Sequence, residues 1–142
     1  MRRRLLLSTA LFAAVSSLAP EAHAGSYLDR ASLLVEGSSR DARSLRARLT
    51  DKELARVVQI VAEARTRAAS KMDVPEAVAK AHPHLLLTLS RVERAATAAL
   101  DGNFKAALEN IEAAAREETI FRAALKEAGH PLPAPARQGE AR

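Results

Sequence analysis

The side chains best suited to chemistry are two closely spaced histidines and one acid in an apolar stripe. His82-Pro83-His84 places two imidazoles two residues apart. Imidazole binds divalent metals and haem iron, so His82 and His84 are the candidate metal pair. On a regular helix, residues two apart point about 200° away from each other, and the pair could share an ion only in an extended or kinked segment. The chain has no cysteine, so further ligands would have to be carboxylates from other elements. His130 follows Gly129 at the end of an amphipathic segment, where the negative end of a helix dipole favours a cation. Glu118 lies on the stripe formed by Ile111, Ala115, Phe121 and Leu125. It is expected to reach the bundle edge toward Arg65 or Arg94. Glu118 and Arg122, one turn apart, are the candidate polar-core or binding residues.

Several reaction classes find no motif. A ferritin-like di-metal site needs inward carboxylates and paired helical Glu-x-x-His motifs, and the chain does not supply that set. A Gly-rich phosphate loop, a Gly-x-Ser-x-Gly elbow and a His-Glu-x-x-His helix are likewise missing. Zero cysteines exclude a disulfide scaffold, a thiol enzyme and a Cys-held iron–sulfur cluster. The expectation is a non-enzymatic chain with no catalytic residues and no obligatory cofactor.

The 142 residues suffice for one domain. Thirty-two are alanine and only 4 are aromatic, which favours helix over strand. Arg2-Arg3-Arg4 followed by a mostly apolar run from Leu5 to Leu18 reads as an export signal. Ala22-His23-Ala24 has the form of a cleavage site, which assigns residues 1–24 to a signal peptide and makes Gly25 the mature start. The run is shorter than the roughly 20 residues a spanning helix needs, so no stable membrane anchor is expected after cleavage. The expected location is periplasmic or secreted. Cleavage removes Arg2, Arg3, Arg4 and Glu21, so 22 basic residues become 19 and 17 acidic become 16, and the charge falls from +5 to +3. Nucleic acid is not an expected partner at that charge. Seven arginines between Arg40 and Arg67, interleaved with acids, read as a solvated face with local pairs.

Four amphipathic segments position these groups. Leu28, Ala31, Val35, Ser38, Ala42, Leu45 and Leu49 alternate in steps of 3 and 4, one long helix with a weak point at Gly37. Thr50 with Glu53 forms a capping box for the second segment. Its stripe runs through Leu54, Val58, Val61, Arg65, Ala68 and Met72, and Val57, Ala62 and Ala69 widen it. Asp73 is placed to cap the third segment, and Pro83 predicts a kink or break near Ala81–His82. The main seam beyond it is Leu85, Leu89, Val92, Ala96 and Ala99. Gly102 and Asn103 end this helix and cap the fourth, which carries Phe104, Leu108, Ile111, Ala115, Phe121 and Leu125 up to Gly129. Together these predict an all-α, up-down-up-down four-helix bundle over residues 25–129. A disordered Pro-rich tail is expected over residues 130–142.

From Leu85 to Leu125, the run with Ala98-Ala99-Leu100-Asp101-Gly102-Asn103-Phe104-Lys105-Ala106-Ala107 at its centre resembles the second hairpin of the soluble periplasmic b-type cytochromes. That resemblance implies an exported four-helix bundle. The family's haem ligands are a Met in the first helix and a His in the last. Here the first helix has no Met, and Arg122 stands in the region where the last-helix His would lie. The resulting expectation is an exported binding or adaptor module acting on a protein partner or on its own copy. The alternative is a carrier of b-type haem or a divalent metal through His82 or His84.

Overall fold

The computed structural model describes residues 19–134. The basic start and the apolar run of the expected signal lie outside the described residues, as do residues 135–142. Within them the chain is all-α: α1 (Ala19–Ala47), α2 (Lys52–Ser70), α3 (His82–Leu100) and α4 (Phe104–Glu127), with a 3-10 turn at Glu76–Val78. Consecutive helices run antiparallel. Gln59 of α2 bonds to Thr97 of α3 at 2.9 Å, and Arg91 of α3 to Asn110 of α4 at 3.3 Å. α3 is the hub, packing against each of the other three helices. No described helix is long and apolar enough to cross a membrane.

The helix boundaries have local causes. Asp51, one residue past the expected Thr50, caps α2 by accepting the Leu54 N–H at 2.9 Å. Asp73 caps nothing; only the 3-10 turn forms before Pro83, and α3 starts at His82 with Pro83 in its first turn. Gly102 and Gly129 have φ of 75° and 81°, the left-handed turn that stops α3 and α4. In both, the following N–H reaches back six residues inclusive: Asn103 to the Ala98 carbonyl at 2.8 Å and His130 to Leu125 at 2.9 Å. Asn103 then caps α4 by accepting from Ala106 at 3.1 Å.

Two apolar clusters fill the bundle. One, toward the α1–α2 and α3–α4 connections, holds Leu45, Val58, Val92 and Ile111 among many alanines. The other, toward the opposite end, holds Tyr27, Val35, Leu85, Leu89, Phe121 and Leu125. The α1 seam is buried from Ala31 through Leu45 as its spacing predicts, but Tyr27 takes the inner position beside a half-buried Leu28. In α2 the stripe is centred one residue from expectation. Ala55, Val58, Ala62 and Ala69 are buried, whereas Leu54 and Val61 sit at its edge. The alanines win the centre because they permit the closest helix approach. Phe104 and Ala115, expected on the α4 seam, are exposed, and Ala107 and Ala114 are buried instead. After Gly129, residues 130–134 are not helical, and Leu132 packs onto the second cluster.

Leu89 is fully buried, whereas Leu87, two residues earlier on the other face of α3, is 40% exposed. Leu89→Ala is expected to lower unfolding free energy by about 2–5 kcal/mol, through lost transfer energy and an unfilled cavity. Leu87→Ala should cost less than about 1 kcal/mol. Urea denaturation of both variants checks this, and equal losses would refute the seam assignment.

Candidate functional site: a polar belt and the α1–α4 cleft

Between the two apolar clusters the bundle turns polar. Ser38 of α1 and Thr88 of α3 are only 1% and 2% exposed. Thr88 satisfies its hydroxyl within its own helix by donating to the His84 carbonyl at 2.8 Å. Ser38 Oγ is buried with no partner.

Glu118 is the centre of the belt. It turns to neither Arg65 nor Arg94. One carboxylate oxygen accepts the Ser39 hydroxyl from α1, and the other accepts Arg122 Nε at 2.9 Å. The Glu118 and Arg122 side chains are 18% and 21% exposed. Arg122 continues outward, donating from Nη1 to the Pro133 carbonyl at 3.2 Å, while its Nη2 is buried without a partner. The two candidate polar residues of α4 therefore do meet, and they tie α1 to α4.

Arg65, on the expected α2 stripe, turns to α1 instead of Glu118. It pairs with Asp41 of α1, and both side chains are mostly buried. A Cβ at Gly37 would stand 2.8 Å from Arg65 Nη2 and 3.0 Å from its Cζ. Gly37, the weak point in the helix by propensity, is the place where the guanidinium lies against α1.

The two histidines diverge, as helix geometry requires. His82 faces α1, where the Tyr27 hydroxyl lies 2.9 Å from its Nδ1 and the rings are 5.7 Å apart. His84 faces α4, with Nδ1 2.8 Å from Glu117 Oε2. The structure does not bring the candidate metal pair onto one ion. Among the described residues, no three His, Asp or Glu side chains are grouped to hold a metal. His82 does not join Glu118 and Arg122 either; its hydrogen-bond partner is on another helix. Burial holds His82 below its usual value, opposed by a hydrogen bond to the Ala69 backbone. Burial also pushes the Tyr27 hydroxyl up to about 12, so it stays a donor at neutral pH.

Beside the Glu118 bridge, α1 and α4 leave a cleft of about 200 Å³. Its walls carry small side chains, Ser38, Ser39 and Ala42 on α1 and Ala114 and Ala115 on α4. Val92 and Ile111 line its apolar depth, and Arg43 and Arg46 stand on its α1 side. Sequence spacing placed Ser38 on the α1 seam and read Arg43 and Arg46 as part of a solvated arginine face, but marked neither Ser38 nor Ser39 as a site. The available signal was a Ser-Ser pair astride an otherwise apolar seam.

Two consequences are measurable. Gly37→Ala should gain about 1 kcal/mol of helix propensity but displace Arg65 from Asp41. In the wild-type background these effects should nearly cancel, and with Arg65→Ala present the full gain should emerge. A double-mutant cycle by chemical denaturation tests this, and an identical effect in both backgrounds would refute the contact. As for pH, the unfolded chain takes up the His82 proton near the usual 6.5, before the folded chain does. Stability contributed by neutral His82 is therefore complete above that value and is lost as pH falls through 6.5 toward the lower folded value. Between about pH 7.5 and 5, wild type should lose more stability than His82→Gln; parallel curves would rule this out.

Compared with models of known families, with characterised proteins and with solved structures, the chain finds no match in any of the three.

Proposed function

We propose that this chain is an exported, non-enzymatic helical-bundle binding module whose binding place is the cleft between α1 and α4. The observation that carries the reading is the cleft itself. It is concave, about 200 Å³, set between rigid helices, and holds a buried Ser38 hydroxyl without a partner. Small residues on both walls keep it open, and the Ser39–Glu118 hydrogen bond, with Arg122 behind it, fixes the spacing of those walls. A site of this kind is preformed, so binding needs little ordering of the protein. A small group, free or carried on a protein partner or a second copy, can enter it from the exposed α4 side at Ala115. Export is supported by the basic start, the apolar run and Ala22-His23-Ala24 in the sequence.

One experiment addresses both halves. A photo-crosslinking residue is placed at Ala115, in the cleft, or at Lys105, whose side chain is 89% exposed near the start of α4. The full chain is expressed in cells, illuminated, and weighed intact. The expected result is a chain beginning at Gly25 that carries a discrete adduct from position 115 and none from 105. A retained Met1 overturns export. The same adducts at both positions, or none at 115, overturn the binding place.

A further inference from the structure

We infer that the α1–α4 cleft takes a small amphiphile: a short apolar body with an anionic head. This rests on the reading of the cleft as the binding place and adds the chemistry of its occupant.

The size follows from the volume. A cleft of about 200 Å³ is at the small end for a ligand site, so it takes a short apolar body only. The apolar body follows from the depth of the cleft. Val92 and Ile111 form its floor, with the methyl groups of Ala42 and Ala114 on either side. These offer no hydrogen bond, so a polar group seated there would lose its water without replacement.

The charge of the head follows from the α1 rim. Ser39, Arg43 and Arg46 recur at steps of 4 and 3 on one face of α1, so the arginines stack along the mouth. Arg46 has a single acidic neighbour, Glu112, at 3.9 Å, with both side chains more than half exposed. Such a contact is weak and screened, and an entering anion displaces it readily. The other acid at the cleft, Glu118, is already matched by Arg122 and Ser39, so its charge is answered before a ligand arrives. Arginine forks suit carboxylate or phosphate oxygens.

The probes are hexanoate, hexyl phosphate, 1-hexanol and hexylammonium, titrated into the purified full chain and followed by the amide NMR signals of Ser38, Ser39, Thr88 and Ala114. Hexanoate or hexyl phosphate should bind at least tenfold tighter than hexanol, and hexylammonium weakest. Preference between the two anions separates a carboxylate from a phosphate ligand. Arg43→Ala with Arg46→Ala, both surface changes, should reduce the anions to the level of hexanol and leave hexanol unchanged. Ala114→Leu, with its helix content checked by circular dichroism, should abolish binding of all four by filling the cleft. Equal affinity for anion, alcohol and ammonium would overturn the anionic head while leaving the cleft as a binding place. No binding by any probe would overturn the amphiphile, and the crosslinking result at Ala115 would then decide separately whether a protein segment occupies the cleft.

Discussion

Glu118 is the group around which the middle of the bundle is arranged. A carboxylate with 18% of its side chain exposed cannot be left unpaired, because losing its water costs several kcal/mol. Two helices answer that demand. α4 supplies Arg122 one turn away, and α1 supplies Ser39. The apolar clusters lie to either side of this level, so the spacing of α1 from α4 here is set by a polar bridge. The same bridge directs the chain beyond α4. Arg122, held by Glu118, presents Nη1 to the Pro133 carbonyl. The residues after Gly129 thereby turn back along the bundle, and Leu132 reaches the second cluster.

Polar bridges of this kind add little net stability, because desolvation offsets most of the attraction. Their effect is geometric. Between α1 and α2, Asp41 and Arg65 do the same as Glu118 does between α1 and α4, with Gly37 leaving room for the guanidinium. Stability then has to come from the clusters above and below, where Leu45, Leu85, Leu89, Phe121 and Leu125 are fully buried at about 1.5–3 kcal/mol each. With no disulfide available, the fold rests on that packing and on hairpins whose contacts are close in sequence. Short connections of this kind favour fast folding.

The fold was legible because four segments each carry a 3–4 repeat, and because Gly102, Gly129 and Pro83 punctuate them where backbone geometry demands it. Capping was legible to within a residue at α2, where Asp51 displaced Thr50 because its carboxylate reaches the Leu54 N–H, and was missed at α3, where Asp73 caps nothing and Pro83 sets the start. What periodicity could not tell was which of two adjacent stripes lies deepest. In α2 and α4 the answer went to alanine over Leu54, Val61 and Phe104, since close helix approach rewards the smallest side chain and a hydropathy pattern rewards the largest. The site was less legible still. Glu118 and Arg122 were visible as charges on an apolar stripe, but their partner Ser39 is 79 residues from Glu118. His82 and His84 looked like a pair only along the chain; α3 sends one to Tyr27 and the other to Glu117.

Ser38 is the residue that packing alone does not account for. Its hydroxyl is buried and unpaired, which costs about 1–3 kcal/mol. Alanine there would remove that cost, improve helix propensity and match the small residues around it. Thr88, its counterpart on α3, avoids the penalty by bonding to the carbonyl one turn back. Ser38 faces the cleft instead, next to Ser39, whose hydroxyl is committed to Glu118. Ser38, unlike Thr88, therefore weakens the seam of alanines in which it stands.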